Sequence, residues 1–208
     1  SRTVFDWNTL YKIDDFRAFW TSFRVIAMLK VRVCTLTVNR TQSGYGNDSK
    51  GGPKRPKIIY FIGCKNVQVQ DVTLRNSAYW TQDYEKCDGV VIRGVKVYSH
   101  VNWNNDGLDI DSRNVVISDC YIDCDDDALC LKSDTDTPCE NVTVTNCVLK
   151  SNCNAIKFGT SSYSGFKNIT ILNCTIDRAS EDHIRQWYNN YPWIGTTWKT
   201  AVAGIALE

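Results

Sequence analysis

Along most of this chain apolar and polar residues alternate in short bursts, and the bursts recur at fixed intervals. Asn114-Val-Val-Ile-Ser-Asp-Cys120, Asn141-Val-Thr-Val-Thr-Asn-Cys147 and Asn168-Ile-Thr-Ile-Leu-Asn-Cys174 are copies of one phrase, each 27 residues after the last. Alternation of period two sends successive side chains to opposite faces, as in a strand with one face buried. Weaker copies at Asn66-Val-Gln-Val-Gln-Asp-Val72 and Gly89-Val-Val-Ile-Arg-Gly-Val95 precede them at spacings of 23 and 25 residues, so five coils can be counted. A repeat of this length with one strand phrase per copy is the signature of a solenoid.

Laid over one another, the copies align Val67, Val90, Val115, Val142 and Ile169, then Val69, Ile92, Ile117, Val144 and Ile171. Further along they align Val72, Val95, Cys120, Cys147 and Cys174, then Leu74, Val97, Ile122, Leu149 and Ile176. Such ladders of like residues predict coils stacked in parallel at roughly 4.8 Å. A leucine-rich solenoid needs a helical or leucine-patterned second half, and none is visible. The expected fold is therefore all-β, a right-handed parallel β-helix.

The first 50 residues lack the phrase and read as an irregular segment, either a cap over the first coil or a stretch foreign to the solenoid. Within them Asp14 to Leu29 has a helical period, and the glycines and prolines of Gly51-Gly-Pro-Lys-Arg-Pro56 mark a loop. Residues 51–208 are expected to form the β-helix domain. Ile205-Ala-Leu-Glu208 reads as the start of a strand. Because natural proteins avoid bare sheet edges, the helix is expected to be incomplete at its C-terminal end, as in a fragment.

The 208 residues, 43% hydrophobic, suffice for one sizeable core. With 24 basic and 23 acidic residues the chain has no field suited to nucleic acid or to an anionic membrane, and neither partner is expected. No apolar run approaches the roughly 18 to 20 residues of a membrane span, and Ser1 opens no charged-then-apolar signal segment, so a soluble chain whose leader is absent or already removed is the expectation; a monomer is expected as well. Ten cysteines raise the question of disulfides or a metal. Cys120, Cys147 and Cys174, however, share one inward position beside Ile and Val, where free cysteine behaves as a small hydrophobe. Cys124 and Cys130 lack the paired spacing of a zinc site.

A second correspondence lies beyond the strand phrases: Asn105-Asp-Gly-Leu-Asp-Ile-Asp-Ser112, Asp126-Asp-Ala-Leu-Cys-Leu-Lys-Ser133 and Cys153-Asn-Ala-Ile-Lys-Phe-Gly-Thr160. It predicts one ladder of Asp106, Asp127 and Asn154, a neighbouring one of Asn105, Asp126 and Cys153, and a third of Asp109, Cys130 and Lys157. Carboxylates on adjacent coils, roughly 5 Å apart, repel and raise at least one pKa unless a cation intervenes. Asp125-Asp-Asp127 alone could be a solvated turn. A second acidic position on the preceding coil points instead to a functional cluster. Two chemistries use one: inverting glycoside hydrolysis, with an acid and a base some 6.5 to 9.5 Å apart, and calcium-assisted β-elimination of uronates.

At these residues the chain resembles a known family. Asn104-Asn-Asp-Gly107, followed by Asp126-Asp127 and a run closing on Lys132-Ser133, is similar to the motifs of the family-28 glycoside hydrolases, the polygalacturonase-like β-helix enzymes. The likeness runs from about Lys57 to Glu208 and includes Trp80-Thr81. It implies that Asp126 is the general acid, that Asp106 and Asp127 activate the attacking water, and that Asn104 and Lys132 hold the substrate. The chain departs from the family pattern in two places. Asn154 stands where a histidine is expected, and Ala206-Leu207-Glu208 where a basic pair would grip a galacturonate carboxylate. Lys157 and Arg185 are the candidate replacement cations, and Trp103 the candidate sugar platform. His183, beside Glu181 and Asp182, reads as a surface hydrogen bonder.

The expectation is a secreted or periplasmic inverting hydrolase of a pectic or related acidic polysaccharide other than plain polygalacturonate, needing no metal or organic cofactor. A calcium-dependent polysaccharide lyase and a non-catalytic carbohydrate-binding or inactive fragment are the alternatives.

Overall fold

The computed structural model describes residues 4–6, 35–37, 55–100, 104–181 and 203–208. Sixteen strands run through them, and every pairing between strands is parallel. A seven-stranded sheet stacks β1 (Val4–Asp6), β2 (Thr35–Thr37), β5 (Thr73–Arg75), β7 (Lys96–Ser99), β9 (Tyr121–Cys124), β12 (Val148–Ser151) and β15 (Thr175–Arg178). A nine-stranded sheet holds β3 (Ile59–Ile62), β4 (Lys65–Gln70), β6 (Gln82–Arg93), β8 (Leu108–Ser118), β10 (Leu129–Ser133), β11 (Cys139–Thr145), β13 (Asn154–Ser162), β14 (Phe166–Leu172) and β16 (Ala203–Leu207). In this second sheet β6 pairs with both β3 and β4, and β8 with both β10 and β11. The early halves of β6 and β8 therefore build one face and their later halves another, with a register shift between Glu85 and Asp88.

The predicted ladders are present rung by rung. Val67 pairs with Val90, Val90 with Val115, Val115 with Val142, and Val142 with Ile169. Leu74, Val97, Ile122, Leu149 and Ile176 follow one another across the seven-stranded sheet. These side chains meet in a single core, in which Val90, Ile92, Val97, Ile122 and Val144 are wholly buried. Cutting such a residue to alanine costs about 2 to 5 kcal/mol, because packed neighbours only partly fill the space. Cys120 and Cys147 lie in that core and Cys174 at its margin, all three as free thiols.

The asparagines of the phrase have a backbone role. Asn114, Asn141 and Asn168 at its head, and Asp119, Asn146 and Asn173 near its end, adopt φ of 51 to 57°. This left-handed region suits asparagine and aspartate, whose short side chains bond locally. The weaker copy places Gly89 and Gly94 there, at φ of 78 and 63°. Each turn thus swings the chain onto the next face, and the side chains stack outside it. Asn141 donates to Asn114 Oδ1 and Asn168 to Asn141 Oδ1, both at 3.0 Å, and Asn173 donates to Asn146 Oδ1 at 2.7 Å.

Before residue 51, where no repeat phrase was read, β1 and β2 extend the seven-stranded sheet, with Leu36 in register with Leu74. The helical period of residues 14–29 lies outside the described residues.

Candidate active site

Each coil leaves the seven-stranded sheet through a junction before it enters the next, and the junctions carry the acids. Residues 104–107 lead into β8, residues 125–128 join β9 to β10, and residues 152–153 join β12 to β13. Asp109 is in register with Cys130 and Cys130 with Lys157, as predicted. That register sets Asp106, Asp127 and Asn154 on one line, and two backbone bonds fix it: Gly107 N to Asp127 O at 2.8 Å, and Ala128 N to Asn154 O at 3.0 Å. Asn105 Oδ1 accepts from Asp126 N at 3.2 Å, and Asp127 Oδ1 accepts from Asn154 N at 3.2 Å and Nδ2 at 2.7 Å. Only glycine fits at 107. A Cβ there would lie 2.2 Å from Ile122 Cγ2 and 2.7 Å from Ala128 O.

Asp106, Asp109, Asp126 and Asp127 are each less than one-tenth exposed. Burial, reinforced by Asp109 and Asp126, pushes the Asp106 carboxyl well above the usual carboxylate range. Burial also raises Asp109, to about 7, against the pull of Lys132. Oδ1 of Asp106 has no hydrogen-bond partner. Two ammonium groups offset the rest. Lys132 Nζ lies 3.2 Å from Asp109 Oδ1, and Lys157 Nζ lies 3.4 Å from Asp127 Oδ2 and 3.2 Å from Glu208 Oε2. Burial works against both charges, yet Asp109 holds Lys132, and Asp127 holds Lys157, above the ordinary lysine value.

Two groups, Asp106 with Asp109 and Cys130, and Asp126 with Asp127 and Cys153, bring carboxylate and thiol atoms within 4.8 Å of one another. Both mix oxygen with sulfur, whereas calcium takes about six to eight oxygens.

The structure thus brings Asp106, Asp126, Asp127, Lys132, Asn154 and Lys157 into one cluster. Asn104 joins it at the rim, in the left-handed conformation at φ 51°. Trp103, His183, Arg185 and the aromatic run 187–198 lie outside the described residues.

Sequence reasoning missed several neighbours. Arg55 donates to Asn104 Oδ1 at 2.9 Å and Ala78 O at 3.1 Å, with its guanidinium 4.7 Å above the Tyr79 ring. Tyr79 stacks on Trp80 at 5.1 Å. Lys57 donates to Asp83, the register partner of Asp109. Arg55 comes from a stretch read only as a loop, and the contacts of Arg55 and Lys57 span 23 to 49 residues of sequence, so no local pattern could announce them. The position of Asp83 opposite Asp109 is the one signal that a longer overlay of the coils would have given.

Parallel coils with a stacked carboxylate cluster at one junction invite comparison with known proteins. Residues 11–186 match glycosyl hydrolases family 28. The chain belongs to that family. Among curated family relatives, a Vitis vinifera protein described as a probable polygalacturonase is 33% identical over 84 residues, 39% of this chain and 17% of that protein. A polygalacturonase of Juniperus ashei is 35% identical over 86 residues, 40% of this chain and 16% of the relative. The crystal structure of a hyperthermoactive exopolygalacturonase from Thermotoga maritima superposes with a TM-score of 0.52 at 27% identity, covering 64% of this chain and 32% of that one. The matched stretch is therefore a minor part of each relative's length. Among the described residues of this family-28 chain, no helix is long and apolar enough to cross a membrane.

Proposed function

We propose that this protein hydrolyses glycosidic bonds of a pectic or related acidic polysaccharide, with inversion, outside the cell and as a monomer. The observation that carries this is the buried stack of Asp106, Asp126 and Asp127, with burial raising the Asp106 carboxyl while lysines balance Asp109 and Asp127. Hydrolysis with inversion needs one protonated and one ionised carboxyl with room between them for water. Asp126 is the general acid, Asp127 takes the proton from the water, Asp106 orients it, and Asn104 and Asn154 contact the sugar. Lys132 and Lys157 already pair with Asp109 and Asp127, and the acid groups mix oxygen with sulfur, which favours hydrolysis over calcium-assisted elimination.

A second assignment is favoured by one observation: burial pushes the Asp106 carboxyl well above the usual carboxylate range, which suits a proton donor. The two assignments part experimentally. Loss of the true acid spares substrates with activated leaving groups, while loss of the base is rescued by azide. Reducing-sugar release from a panel of pectic polymers tests the activity itself, and Asp126→Asn should lower it by about 10² to 10⁴. An unsaturated, ultraviolet-absorbing product would replace hydrolysis with elimination.

A further inference from the structure

Along the outer side of β6, β8 and β10, next to the acids, two lysines converge on one indole. Lys57 Nζ and Lys132 Nζ each lie 4.4 Å from the Trp80 ring centroid, and Lys57 also lies 4.1 Å from that of Tyr60. Each has a buried acid behind it, Asp83 for Lys57 and Asp109 for Lys132, and these two acids are register partners on adjacent coils. An ammonium group has three donors, and one aspartate does not engage them all. The side chains of Lys57 and Lys132 keep 18% and 11% exposure, enough to reach a ligand from solvent. Cation–π contact fixes where the two charges stand without consuming their hydrogen-bonding capacity.

On the opposite side of the acids the situation differs. Lys157 is shared between Asp127 and Glu208, and its rung neighbour on β16 is Ala206. A carboxylate arriving there meets a cation already held by two anions. A carboxylate arriving at Trp80 meets two ammonium groups rather than one, Lys57 paired with Asp83 and Lys132 with Asp109.

We propose that Lys57 and Lys132, oriented by Trp80, form a subsite for the carboxylate of a uronic acid residue, set apart from the Lys157 side of the cluster. This inference rests on the polysaccharide reading above. It places recognition of acidic sugar just ahead of β3 and β6 and on β10, and leaves the Lys157 side to a neutral or differently oriented sugar. Asp83 acts as a restraint on the subsite, because it holds Lys57 in place while competing with the incoming carboxylate.

The test uses the full chain carrying Asp126→Asn, so that substrate is bound but not cleaved, and titrates trigalacturonate and galactotriose by calorimetry. Lys57→Gln should weaken trigalacturonate binding about tenfold, the range of one charge-assisted hydrogen bond, and leave galactotriose unchanged. Lys57→Arg should retain most of the affinity. Asp83→Asn should tighten trigalacturonate, a gain that loss of a merely structural ion pair would not give. The double variant Lys57→Gln with Asp83→Asn removes both charges together, and so keeps the experiment sound if a solitary buried Asp83 prevents folding. Binding of trigalacturonate that is equal in wild type, Lys57→Gln and the double variant would overturn the subsite while leaving the hydrolase reading intact. Failure of the unmutated chain to cleave any pectic polymer would instead remove the reading on which it rests.

Discussion

Gly107 stands between the core and the catalytic junction, and replacing it with alanine should damage stability and catalysis together. The added Cβ would lie 2.2 Å from Ile122 Cγ2 and 2.7 Å from Ala128 O, whereas ordinary contact begins at 3.4 Å, leaving shortfalls of 1.2 and 0.7 Å. Neither neighbour yields easily. Ile122 is fully buried in the ladder between Val97 and Leu149, and Ala128 O belongs to the backbone directly after Asp127. Overpacking of this kind costs about 1 to 3 kcal/mol. For a chain of this size, each kcal/mol lowers Tm by about 2 to 4 °C, so a fall of about 2 to 12 °C is expected in thermal melts followed by circular dichroism. The strain is relieved by moving the turn that carries Asp106, and a displacement near 1 Å at a reacting group costs about 10² in rate. Reducing-end release measured at saturating substrate, well below the new Tm, reads that loss as kcat. Gly107→Ala with wild-type Tm and kcat would show that the junction is looser than its contacts indicate.

Three further outcomes are expected. Burial holds Asp109 at about 7 and Asp111 at about 6, above the unfolded value of about 3.9, so the folded chain keeps protons that the unfolded chain releases. That contribution is complete below about pH 4 and is lost as pH rises through both values, so Tm should be higher near pH 5 than near pH 7.5, and a flat profile would contradict the burial of these acids. Because Glu208 crowds Lys157, kcat/KM on plain polygalacturonate should lie at least about tenfold below that on the best mixed pectic polymer, and Glu208→Gln should narrow the gap. Cys120 and Cys147 should resist alkylation until the protein unfolds, and rapid native labelling seen by mass spectrometry would place them outside the core.

The repeat, the ladders and the parallel solenoid were legible in sequence because a period-two pattern has only one way to bury its apolar face. The register of Asp106 over Asp127 over Asn154 followed from the same overlay, since residues one coil apart at the same phase must be neighbours. Asparagine, aspartate or glycine stands at the head and near the end of each phrase, but the left-handed conformation they adopt became visible only in the folded backbone. What the tertiary structure alone decided is the company the acids keep. Arg55 arrives from a Gly/Pro-rich loop and Lys57 from directly after it, Trp80 comes from a different coil, and Lys157 divides itself between Asp127 and Glu208. Long flexible side chains choose partners by proximity in space and by the local dielectric, and neither quantity is written in the spacing of residues along one chain. The same reason raises Asp106: burial, which belongs to the whole fold, is a larger cause than the neighbouring charges that a sequence overlay can count.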